Sequence, residues 1–152
     1  MDIDKLQPTE TMRGDDARET ALLRSMFAHA MAYLQGFDWC QPIVNSYLGF
    51  GVGEVIALFL FKFNPPIADG DEWLWVVVGD LPSAYFVTDE ARTSKDALEV
   101  YCGLMESWSD SVLRGTALDG LFPVNASSST EHAEMLRNRI RLIRDELIPR
   151  VE

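Results

Sequence analysis

Residues 72–89 read Glu-Trp-Leu-Trp-Val-Val-Val-Gly-Asp-Leu-Pro-Ser-Ala-Tyr-Phe-Val-Thr-Asp, and the folding of this stretch decides the rest of the chain. Six apolar residues, Trp73 to Val78, stand between an acidic Asp-Gly-Asp-Glu and the turn residues Gly79-Asp80-Leu81-Pro82. The run is too short for a typical helix, and its bulky aromatic and β-branched side chains favour extended chain. Alternation puts Trp73, Trp75 and Val77 on one face and Leu74, Val76 and Val78 on the other, so both faces are apolar. Gly79 to Ser83 reverses the chain, because Gly79 allows unusual φ and Pro82 has no N–H for a central strand. Ala84 to Thr88 returns as a second strand.

Upstream, Glu54 to Phe63 is a third strand of the same kind. Its even positions carry Ile56, Leu58 and Leu60; its odd positions carry Ala57, Phe59, Phe61 and Phe63. The loop from Asn64 to Asp71 closes an antiparallel hairpin with the strand that follows. The expected fold is therefore α+β: an antiparallel meander of three strands or more, packed with three or four helices. Such a sheet must be covered on both faces, by its own helices or by another molecule.

The helices are read from caps and spacing. Asp16 with Glu19 resembles a capping box that opens a helix to about Leu34, with Leu23, Met26, Phe27, Ala30, Met31 and Leu34 on its apolar stripe. A short helix starting near Pro42 is expected within residues 38–47, after which Gly49, Gly51 and Gly53 release the chain into the first strand. Thr93 or Ser94 caps a helix from about Lys95 to Leu113, ended by Gly115. Ser128 with Glu131 opens a last helix that Pro149 stops. Residues 1–14 read as a flexible lead, and 15–152 as one α+β domain.

The 152 residues carry a net charge of −11, placed unevenly. Between Ser25 and Ala91 the only Lys or Arg is Lys62, against eight acids. That field disfavours nucleic acid and anionic membrane as partners, since phosphate binding needs clustered bases. The longest wholly apolar run outside residues 73–78 is Val55 to Phe61, far short of a bilayer span of about 20 residues. With no visible targeting segment and only Cys40 and Cys102, a cytoplasmic, reduced setting is expected.

No metal or cofactor is expected. His29 and His132 are about 100 positions apart in sequence, and no His/Cys pair has zinc spacing. Asp69-Gly70-Asp71-Glu72 lacks the spacing of a calcium loop and reads as an acidic hairpin turn. Gly49-x-Gly51-x-Gly53 precedes a strand, the reverse of a phosphate-binding glycine loop. Cys40 has no neighbouring base to activate it. No catalytic nucleophile–base set is found.

Trp39-Cys40, Tyr47-Leu48, Trp75-Val76, Gly79-Asp80-Leu81-Pro82 with Tyr85, then Ala97 and Trp108, resemble an uncharacterised bacterial domain-of-unknown-function family. Its pattern is W-C…Y-L…W-V-x-x-G-D-x-P-x-x-Y before a helix, covering about residues 38–115. The resemblance implies a bacterial origin and an α+β layout and brings no activity. The chain departs from the family at Gly49 to Gly53, where the family has a Pro/Trp-rich approach.

Three functions follow as expectations. The first is a non-enzymatic protein-binding module, for example an acidic immunity or inhibitor protein masking a basic partner, with Trp73, Trp75, Asp69, Asp71 and Glu72 at the contact. The second is a small enzyme or ligand-binding protein whose pocket lies between sheet and helices, with Asp80, Tyr85 and Glu54 as its polar groups. The third is a homodimeric structural module that buries its sheet against a second copy.

Overall fold

The computed structural model describes residues 3–67, 70–124 and 127–151. The turn-strand-turn reading of 72–89 holds: β-strands at Trp73–Gly79 and Ala84–Val87 pair antiparallel, with Trp75 opposite Phe86. The strand upstream, Ile56–Phe63, pairs antiparallel with the first of them. Two further strands precede it, Gln7–Pro8 and Ile43–Val52. Numbered along the chain, β1 (Gln7–Pro8), β2 (Ile43–Val52), β3 (Ile56–Phe63), β4 (Trp73–Gly79) and β5 (Ala84–Val87) form one five-stranded meander in sequence order.

The strand β2 corrects the short helix expected near Pro42, and it contains two of the glycines assigned to a linker. Those glycines serve close packing. A Cβ on Gly51 would stand 2.5 Å from Leu23 Cδ2, and one on Gly49 would stand 2.7 Å from Ser94 Oγ. Glycine in a strand often marks close approach of another element, and here a helix comes down on each side of β2.

Three α-helices follow the caps. In α1 (Ala17–Gln35) the Asp16 side chain accepts from the Glu19 N–H at 2.8 Å. The reciprocal half of the capping box is absent, because the Glu19 carboxylate accepts the Gly53 N–H at 2.7 Å and ties α1 to the β2–β3 turn. In α2 (Ser94–Arg114) Thr93 Oγ1 accepts from Asp96 N–H, and Gly115, at φ +69°, closes the helix with its N–H on Val112 and that of Thr116 on Ser111. In α3 (Thr130–Leu142) the cap is Ser129 rather than Ser128, and the chain then continues through a wide turn at Ile143–Leu147 and a tight one at Ile148–Arg150.

Both sheet faces are covered within the chain. Ile56, Leu58, Leu60, Trp75 and Val77 pack under α2 and α3 with Leu98, Tyr101, Met105, Trp108 and Ile140. Ala57, Phe59, Phe61, Leu74, Val76 and Val78 pack under α1 with Leu23, Met26, Ala30 and Leu34. The lead expected to be loose joins this second layer. Met12 is fully buried, Thr9 Oγ1 meets Ser46 Oγ, and Arg24 on α1 donates to the carbonyls of Thr9 and Glu10 at 3.1 Å. Among the described residues no helix is long and apolar enough to cross a membrane.

Candidate functional site

The residues assigned to a partner contact separate on inspection. Trp75 is fully buried, and its Nε1 donates to the Ala91 carbonyl at 2.6 Å, so it is core and offers no surface to a partner. Burial on β4 under two helices overturns its assignment as an anchor. Trp73 is half-buried at the sheet end, with Lys62 Nζ 5.4 Å from its ring centroid and Tyr47 beside it. Asp71 and Glu72 lie in the β3–β4 connection, where their carbonyls accept from Ile67 and Phe63. Asp69 lies outside the described residues.

The three polar groups assigned to a pocket do not meet in one. Asp80 is exposed and its carboxylate pairs with Arg139 at 2.6 Å, fastening α3 to the β4–β5 turn. Glu54 is exposed in the β2–β3 turn at φ +67°. Tyr85 lies on the α1 side of the sheet, its ring within 6.3 Å of those of Tyr33, Phe37, Trp39 and Phe122. Tyr33, Phe37, Tyr85 and Phe122, with His29, Pro82 and Pro123, line a groove of about 550 Å³. Burial, and then Tyr85, push the Tyr33 phenol up to about 12.

The cysteines are held as thiols. Burial raises Cys40, and burial chiefly lifts Cys102 to about 12, against the opposing pull of Arg144. Among the described residues no group of three or more His, Cys, Asp or Glu comes together to hold a metal ion. The basic stripe on the last helix meets acids of its own chain: Arg137 pairs with Asp110 and Arg144 with both oxygens of Glu106.

A different cavity draws the chemistry together. It measures about 430 Å³ and lies between the sheet and the start of α2, closed by both ends of the chain. Gly49 and Phe50 of β2 and Trp75 of β4 form its floor; Lys5 and Leu6 bound one side, Arg150 and Val151 another, and Arg92 to Lys95 the last. Four bases therefore converge there, Lys5, Arg92, Lys95 and Arg150, in a chain of net charge −11. Among the described residues none of the four forms an ion pair.

The basic walls meet the start of a helix. The opening turn of a helix has N–H groups without intrahelical partners and the positive end of the helix dipole. In α2 Thr93 takes the Asp96 N–H and the Ala97 N–H bonds to the Thr93 carbonyl, leaving those of Ser94 and Lys95 without an acceptor among the described residues. Ser94 itself is only 6% exposed, and its hydroxyl likewise has no partner among the described residues. Its Oγ stands over Gly49, where any Cβ would crowd it, in the cavity wall. Among the described residues the one enclosed side-chain oxygen without a partner is Ser109 Oγ, so the Ser94 hydroxyl keeps access to solvent through the cavity and is open to a ligand there.

No protein-family model, curated protein or solved structure matches this chain. The site stands on its own residues. Sequence reasoning used these residues only as helix cap, linker and strand, and Trp75 as a partner contact. Arg92 and Lys95 on either side of a Thr-Ser cap, directly after a segment almost without bases, were the one legible sign. Lys5 and Arg150 carried none, since only the fold brings positions near the two ends of the sequence together.

Proposed function

We propose that this chain is a small-ligand-binding protein whose ligand is an oxyanion held at the start of α2. The observation that carries the reading is the partially enclosed cavity lined by four bases, the Ser94 hydroxyl and two helix N–H groups, none of which has an ion pair or hydrogen-bond partner among the described residues. Helix N-termini bind anions through those N–H groups and the dipole, and flanking cations add long-range attraction. Among the described residues no carboxylate, imidazole or thiol stands in the wall to take a proton, which favours binding over turnover.

This is the ligand-pocket expectation with its residues replaced. The masking and homodimer readings drew their main support from surplus apolar sheet surface. With α1 on one face and α2 and α3 on the other, that support is gone. Acidic net charge alone does not select a basic protein partner.

Calorimetric titration with inorganic phosphate and with sulfate tests the proposal. Saturable one-site binding is expected, lost or weakened about tenfold in Arg92→Gln, whose charged hydrogen bond is worth roughly 1.5–3 kcal/mol. Absence of binding by either anion at millimolar concentration and low salt overturns it.

A further inference from the structure

The cavity is larger than an inorganic oxyanion and its walls are of two kinds. Bases line it at Lys5, Arg92, Lys95 and Arg150, and among them stand the apolar Leu6, Phe50 and Val151, over the buried Trp75. We infer that the ligand is a phosphate monoester with a small apolar body of about one ring, the phosphoryl group at the start of α2 and the body against Phe50 and Val151. The inference rests on the oxyanion reading above and specifies its ligand.

The charge favours a phosphoryl group. A carboxylate or sulfonate brings a single negative charge, whereas a phosphate monoester carries about −1.5 to −2 near neutral pH with three strong acceptor oxygens. Three donors without a partner among the described residues belong to the lining, the N–H groups of Ser94 and Lys95 and the Ser94 hydroxyl, and four side-chain cations line the same cavity. That is a three-point match in hydrogen bonds and the better match in charge.

The walls restrict the rest of the ligand. Among the described residues no Asn, Gln, Asp or Glu lines the cavity to read the edges of a base or the hydroxyls of a sugar. A nucleotide or sugar phosphate would leave buried polar groups unpaired, which costs affinity. A volume of about 430 Å³ also lies toward the small end of ligand pockets, about 300–1,000 Å³. Gly49 is needed to keep the floor open, since a methyl group there would push on Ser94 Oγ, Leu58 and Trp75.

The test is a calorimetric series on the intact chain with phenyl phosphate, inorganic phosphate, benzoate and phenol. Phenyl phosphate is expected to bind about tenfold more tightly than inorganic phosphate, because burying a ring adds apolar contact. It should also exceed benzoate by about tenfold, and phenol should not bind measurably. Ser94→Ala and Lys95→Gln, both on a helix whose cap is Thr93, should weaken phenyl phosphate several-fold, while the distant Arg141→Gln should not. Circular dichroism checks that each variant is folded. If inorganic phosphate binds as tightly as phenyl phosphate, the apolar body is wrong and the oxyanion site stands. Benzoate binding equal to phenyl phosphate overturns the phosphoryl assignment in the same way. If no anion binds the folded chain, both readings fall together.

Discussion

Gly79 shows how a single residue in the deciding stretch supports the fold. Its φ is +148°, a conformation closed to side chains, and a Cβ there would run into the Val55 carbonyl, which also accepts the Asp80 N–H. Gly79→Ala is expected to destabilise the chain by roughly 3 kcal/mol or more, read by chemical denaturation. Glu54 is the opposite case, a side-chain-bearing residue held at φ +67° in a turn. Glu54→Gly relieves that strain and should stabilise by about 0.5–1 kcal/mol in the same assay. A loss on Glu54→Gly would mean that the carboxylate does more than sit in a turn. At the same scale, burial pushes the thiol of Cys102 and the phenol of Tyr33 up to about 12 in the folded chain, from ordinary values of 9.0 and 10.0. Raised folded values mean that the unfolded chain loses those protons first. Their contribution is therefore complete below about pH 9 and is lost as pH rises from there toward 12. Melting temperature should fall across that window, and Cys102→Ala should flatten the part of the fall that begins near pH 9.

At the scale of elements, strands with a clear two-face alternation were legible and the strand without one was not. The assignments of β3 and β4 residues to opposite faces hold position by position, because every residue from Ile56 to Phe61 and from Leu74 to Val78 is buried. The strand β2 has polar Asn45 and Ser46 and two glycines, which locally signal a loop, and its pairing is interrupted by register shifts between Ile43 and Asn45 and between Leu48 and Phe50. Its glycines are chosen by the helices above them, a tertiary reason that a local pattern does not carry. The same limit explains the site. Thr93 was one of two caps read there, with Ser94, yet what sets that helix end apart is Lys5 and Arg150, which arrive from segments near the two ends of the sequence. Asp80, singled out for its place after the Val-Val-Val run, finds its partner in Arg139 across the fold and works as a fastener between α3 and the sheet.

The whole molecule is a five-stranded sheet that spends its helices on covering both of its own faces, one with α1 and the other with α2 and α3. Its overall charge is −11, but the charge is not uniform, since a cavity lined by four bases opens where both ends of the chain come together over α2. An anion there would link the two terminal segments to the sheet, adding to stability by mass action as its concentration exceeds its dissociation constant. The most direct test is a ¹⁵N–¹H titration of the labelled chain with inorganic phosphate at low ionic strength. The account predicts that the amide signals of Ser94 and Lys95 move farthest and saturate on one binding curve, with Gly49 following. Saturating shifts that leave those two amides in place, or shifts centred on the exposed arginines of α3, would contradict it.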